Sequence, residues 1–341
     1  MKQKFSVLAA LCALFVLLFS TSETIGAAAS GLRLCVELIL PGLFPFFVIS
    51  GLLSRVGFPR MAGRALAPAA RRLFGVSGAG TTAFFIGITG GYPLGAAYLA
   101  DLEEQRLISP GETGRLLVFC NNSGPAFLVG AIGAGIFRST RIGLLLYLAH
   151  ILAAVLAGLS SRWIGPKSVT ASPALEKASP QTTVAASEGS SDGPLSPTGP
   201  MPLSRALPAA VQAAVSTALN VCGLVVCFAV CTGLLSSWGI LGMAADALAR
   251  CTGLGDRQAL ALLTGLFELG GGVGALRGLP PTPGNMALAA ALVGWGGLSV
   301  HFQTLSVLAD SEIKSSLHLA GRLMSAVFGA ALAYGLGSML L

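Results

Sequence analysis

The stretch ALPAAVQAAVSTALNVCGLVVCFAVCTGLLSSWGILGMAA, residues 206–245, contains no Asp, Glu, Lys or Arg. At a rise of about 1.5 Å per residue, a helix over half of it already crosses a hydrocarbon layer of about 30 Å. No soluble core hides so long an uncharged run, so its solvent is lipid. Lipid offers backbone groups no water to bond, which leaves helices and closed barrels as the spanning forms. A run this long suits a helix. Working outward, further uncharged runs occupy residues 5–22, 38–54, 73–100, 116–137, 142–161, 278–309 and 259–276, the last interrupted only by Glu268. Residues 323–341 close the chain with another. The expectation is an all-α polytopic membrane protein of about nine membrane segments, some of them broken or re-entrant.

Composition agrees. Of 341 residues 54% are hydrophobic and 10% charged, against about 25% charged in soluble domains. The net charge of +7 sits at the ends of uncharged runs, where basic residues set membrane orientation. No basic stripe interleaved with aromatics occurs, so no nucleic-acid partner is expected. Cys222, Cys227 and Cys231 cluster in an apolar run without a nearby His or carboxylate, which suits helix packing better than a metal site. HExxH, GxSxG, a Walker loop and a dinucleotide fingerprint are missing from the sequence. The reading is therefore a non-enzyme, with no catalytic residue, metal or cofactor.

Four parts follow along the chain. Residues 1–26 read as an N-terminal span behind Lys2 and Lys4. A signal peptide ending near Ala27-Ala28-Ala29 is the other reading. Residues 165–203 are rich in Ser, Pro and Thr, lack periodicity and read as a disordered linker. The linker separates residues 27–164 from 204–341, and these halves are expected to be two repeats. Gly51-Leu52-Leu53-Ser54 returns as Gly233-Leu234-Leu235-Ser236, and Gly91-x-x-x-Gly95 as Gly270-x-x-x-Gly274. Arg55, Arg60, Arg64, Arg71 and Arg72, with no acid among them, place the loop at 55–72 in the cytoplasm.

The chemistry is expected at four interruptions. The first, Gly87 to Gly95, contains Gly90, Gly91 and Pro93, which permit or force a break in a helix. Close helix packing through small residues is its plainer explanation. The second, Asn121-Asn122-Ser123-Gly124-Pro125, sets amides and a hydroxyl beside unwound backbone, as a polar solute requires; a cap between two half-helices is the alternative. The third carries Glu268 before Gly270-Gly271-Gly272. An intramembrane carboxylate is usually functional, so Glu268 is the candidate for a coupling cation or proton, with an Arg322 ion pair as the structural alternative. The fourth, Gly296 to Gln303, brings Ser299, His301 and Gln303. His150 and His318 stand alone and read as packed side chains, and Glu37 as a surface partner of Arg33. Interrupted helices are where transporters place their sites.

These same runs carry a resemblance. Residues 43–50 (LFPFFVIS), Gly90-Gly91-Tyr92-Pro93-Leu94-Gly95-Ala96, Asn121 to Pro125, Gly265-Leu266-Phe267-Glu268 and Gly297 to Gln303 resemble the YlbJ-type sporulation integral membrane proteins, grouped with the nucleoside-recognition (Gate) domain proteins. The chain departs from that pattern in its long linker and in Tyr92, where phenylalanine is expected. The resemblance implies a role in endospore formation, in a membrane around the forespore, passing a small metabolite. Dipicolinate is the substrate it suggests. An aromatic dianion would suit half-helix N-termini, with Asn121, Asn122, Ser123, His301 and Arg322 as contacts. The leading reading is a transporter or permease for a small polar or anionic solute, partnered by the bilayer. Homo-oligomerisation is compatible with the sequence. The competing reading is a non-transporting scaffold or assembly factor in spore formation.

Overall fold

The computed structural model describes residues 2–104, 108–164, 201–308 and 315–340. The expected linker falls outside the described residues from 165 to 200; Met201 and Pro202 are non-helical and Leu203 opens the helix that follows. Every described element is helical, in keeping with an all-α fold.

Before residue 165 the elements are α1 (Lys2–Phe19), α2 (Thr21–Leu34), a π-helical turn (Cys35–Ile39), α3 (Leu40–Arg55), α4 (Phe58–Leu73), α5 (Gly78–Gly90), α6 (Leu94–Glu104), α7 (Pro110–Cys120), a π-helical segment (Ala126–Ile136) and α8 (Thr140–Ile164). After residue 200 come α9 (Leu203–Ser237), α10 (Ile240–Thr252), α11 (Asp256–Phe267), α12 (Leu269–Gly274), α13 (Pro283–Trp295), α14 (Gly297–Val307) and α15 (Ser315–Leu340). Local signals set several starts. Ser77 accepts from the Gly80 N–H at the head of α5, and Thr282 accepts from the Asn285 N–H at the head of α13. Pro110 and Pro283 follow such caps, where a missing N–H costs nothing.

The expectation of about nine membrane segments in two repeats is overturned. Among the described residues four helices are long and apolar enough to cross: Thr140–Trp163, Leu203–Ser237, Pro283–Val307 and Ser316–Leu340. A fifth is reached only by joining Ala67–Leu73 to Gly78–Gly90 across a 94° bend. The reason is that an uncharged run is not one helix. Residues 73–100 split into α5 and α6, of 13 and 11 residues. Residues 116–137 split between α7 and the π-helical segment, and 259–276 between α11 and α12. Helices of 11 to 13 residues reach about 16–20 Å, well short of a hydrocarbon layer. Three of the four long helices follow residue 200, so the halves do not share one set of spans.

The outside of the long helices is apolar. Leu144, Leu148, Leu152 and Leu156 are exposed along one line of α8, and Leu207, Val211, Val215 and Leu219 along α9. Stripes of that length on a water-soluble surface would be aggregation sites; against acyl chains they are at home. Inside, α15 packs on α13, α8 and α7, while α9 runs along α2 and α3. Small residues set the spacing. A Cβ on Gly294 of α13 would come within 2.4 Å of the Ala326 backbone on α15, and one on Gly321 of α15 within 2.5 Å of Val118 on α7. One apolar core forms around Leu128, Ile132, Leu146, Met286 and Leu292, another around Leu99, Leu116, Leu117 and Phe119.

Candidate functional site

Each interruption has its own local cause. α5 ends as Gly91 takes φ +81°, a left-handed value that a side chain would strain, and Tyr92–Pro93 is cis before α6 begins. α7 ends at Cys120, and Asn121 to Gly124 stay non-helical until Pro125 opens the π-helical segment. α11 ends at Phe267; Glu268 is extended, and its carboxylate accepts from the Gly270 N–H at 2.7 Å and from the Gly271 N–H. Between α13 and α14 the chain turns on Gly296 and Gly297, at φ +86° and +73°.

The interruptions meet in pairs, backbone against backbone. A Cβ on Gly91 would sit 3.1 Å from the Gly124 nitrogen, and one on Gly297 would sit 3.0 Å from both the Gly265 oxygen and the Leu269 nitrogen. All four then face one small pocket, with about 50 Å³ of room for water-sized spheres. Gly91 and Tyr92 line it from the first interruption, Ser123 and Gly124 from the second, Glu268 and Gly270 from the third, and Ser299, Val300 and Gln303 from the fourth. Phe47 of α3, Phe127 of the π-helical segment, and Val221 and Val225 of α9 add an apolar wall. Its lining, mostly apolar with a few converging polar groups, is of the kind that holds small molecules.

Of the residues singled out from the sequence, Gly91, Ser123, Glu268, Ser299 and Gln303 line this pocket; Gly90, Asn121, Asn122, His301 and Arg322 do not. Gly90 is buried at the end of α5. Asn121 donates to the Thr304 hydroxyl at 2.7 Å and Asn122 to the Phe119 carbonyl at 2.6 Å. Their carbonyl oxygens, with the Ser299 hydroxyl, are buried and have no hydrogen-bond partner among the described residues. Native interiors leave few such atoms without a reason.

Arg322 lies fully buried behind Tyr92. Its Nη1 donates to the Tyr92 hydroxyl at 3.3 Å, Nη2 donates to Ser325 at 3.3 Å, and the Tyr92 hydroxyl donates to the Val293 carbonyl at 2.6 Å. No ion pair joins Arg322 to Glu268; the ion pair among the described residues is the exposed Arg33–Glu37 contact at 3.9 Å. His301 and His318 share a hydrogen bond at 3.0 Å, and His150 Nε2 accepts from the Ser123 N–H at 3.0 Å. His150 and His318 are thus buried, hydrogen-bonded side chains, as their isolated positions in the sequence suggested. Phe127, Val221 and Val225 carried no signal, being apolar residues in an apolar chain, and Phe47 stood out only as part of the run at 43–50. Among the described residues no group of three His, Cys, Asp or Glu could hold a metal.

Helices of membrane length, apolar outside and interrupted around an internal pocket, define a polytopic membrane protein. Sequence comparison places it more closely: the chain is 30% identical over 309 residues to the sporulation integral membrane protein YlbJ of Bacillus subtilis (strain 168), covering 89% of this chain and 75% of that one. The chain belongs to the YlbJ family. No family model matches it, and no solved structure does.

Proposed function

We propose that this protein is a sporulation-associated transporter or permease that takes a small polar or anionic metabolite into the pocket where the four interruptions meet. The observation that supports this reading is their convergence. Unwound backbone from residues 91, 124 and 268, far apart in the chain, is costly in a membrane and is tolerated where it is buried in protein or lines a cavity. Here it borders a cavity, in company with Ser123, Ser299 and Gln303.

Dipicolinate is the substrate that the family resemblance suggests, carried across a membrane surrounding the forespore. The charged lining residue is Glu268, and a carboxylate repels an incoming anion. The pocket accepts a dianion when a proton or cation enters with it and neutralises Glu268, which makes Glu268 the coupling residue. Ser299, Gln303 and Ser123 supply hydrogen bonds. Asn121, Asn122, His301 and Arg322 support the wall from behind and become contacts only if the site rearranges as it opens.

A scaffold reading has one observation in its favour. A Cβ on Gly87 or Gly95 would lie 1.7 or 2.2 Å from the Cys120 carbonyl oxygen, so close packing accounts for these glycines. It gives no reason for the unpartnered Ser299 hydroxyl at the pocket. Uptake of labelled dipicolinate into proteoliposomes separates the readings. Accumulation above protein-free vesicles supports transport. Equal accumulation removes dipicolinate, and a nucleoside and cation panel with the same result removes transport.

A further inference from the structure

The arginine-rich segment after α3 reads in the sequence as a loop; in the structure it is α4, with no acidic residue. Arg64 and Arg71 stand two turns apart on one line of this helix, with Arg72 beside them, and all three are exposed. Met61 and Leu73 are exposed on the same helix, while Ala70 is buried against the protein. None of the three arginines has an ion-pair partner among the described residues.

The end of α4 is placed by contacts of its own. Its last turn meets α5 at 94°. Its final carbonyls, of Arg72 and Leu73, both accept from Arg162 Nη1 at 3.2 Å. Arg162 belongs to the end of α8, a membrane-length helix, and the next residue, Trp163, is highly exposed. An exposed Trp beside an Arg at a span's end marks the headgroup level. Arg115 reaches the same junction, donating to the Phe74 carbonyl at 2.5 Å. Hence α4 is tied at one boundary of the bilayer and turns sharply away from α5.

We propose that α4 lies in the membrane plane and binds the phosphates of anionic phospholipids through Arg64, Arg71 and Arg72. Arginines on one flank with exposed apolar residues beside them are what an interfacial helix presents to headgroups and acyl chains. Guanidinium groups bind phosphate through paired N–H donors. The arginine excess assigns this boundary to the cytoplasmic leaflet, where anionic lipid is available. The bound lipid would hold α4, and through its last turn the head of α5, which leads to the Gly91 interruption.

The test uses the full chain, delipidated in detergent and offered equal phosphatidylglycerol and phosphatidylcholine, with retained lipid read by native mass spectrometry. Expected is a preference for phosphatidylglycerol of about fivefold or more, lost on combining Arg64→Gln, Arg71→Gln and Arg72→Gln. Equal retention of the two lipids overturns the proposal, and so does a preference that survives the triple substitution. If that variant does not fold, fluorescence of Trp163 decides, in a Trp238→Phe, Trp295→Phe background. Brominated phosphatidylglycerol should quench it more than brominated phosphatidylcholine, and equal quenching contradicts the assignment.

Discussion

Glu268 and Arg322 are both buried, neither has an ion-pair partner among the described residues, and they sit differently. Glu268 faces the pocket and caps α12 with both carboxylate oxygens. Glu268→Gln keeps one acceptor of the two, so it should cost about 1 kcal/mol of stability. Its larger effect falls on coupling: uptake by the variant should no longer respond to an imposed proton or cation gradient, and an unchanged response removes Glu268 from that role. Asn122→Ala removes a buried amide whose oxygen has no partner among the described residues and whose nitrogen donates to the Phe119 carbonyl. It should cost about 1–3 kcal/mol of stability, and uptake by the folded variant should fall about tenfold, equivalent to about 1.4 kcal/mol. Tyr92→Phe removes the hydroxyl that joins Arg322 to Val293, leaving a guanidinium N–H and a carbonyl each one bond short. Thermal unfolding in detergent should register a loss of about 1–3 kcal/mol. At this scale the sequence was partly legible. Glu268, Ser123, Ser299 and Gln303 stood out because polar groups in apolar runs need a reason. The placement of Arg322 behind Tyr92 was hidden, since it depends on α15 packing across α13 and α7.

At the scale of elements, interruptions were readable and lengths were not. Gly91, Pro93, Pro125 and the Gly296-Gly297 pair each break a helix for reasons of backbone chemistry that do not depend on distant residues. Whether an uncharged run continues as one helix does depend on them. Pro45, Pro68 and Pro208 all lie inside helices, while residues 116–137 divide at Asn121. Counting uncharged runs therefore overstated the spans. The arginine-rich segment was misread for a related reason: it carries too much charge for a span, yet its charges lie along a helix. Packing between elements rests on glycine. Gly87→Ala would drive a Cβ into the Cys120 carbonyl that ends α7, and such overpacking should cost about 1–3 kcal/mol. A thermal shift of the purified protein checks this, with Gly130→Ala, which has open space around it, as the neutral comparison.

For the whole molecule, membrane residence was evident from composition, and the exposed apolar stripes of α8 and α9 are its structural counterpart. What no composition could supply is the meeting of four separated interruptions, because that is set by how α3, α9 and the π-helical segment close around them. Uptake of a panel of small polar and anionic solutes, dipicolinate among them, into proteoliposomes by the unaltered chain and by Ser299→Phe, which fills the pocket from its wall, bears on this most directly. At least one solute should accumulate several-fold above protein-free vesicles with the unaltered chain and fall to background with the folded variant. Accumulation that Ser299→Phe leaves untouched, or none for any solute, would contradict a transport role for the pocket.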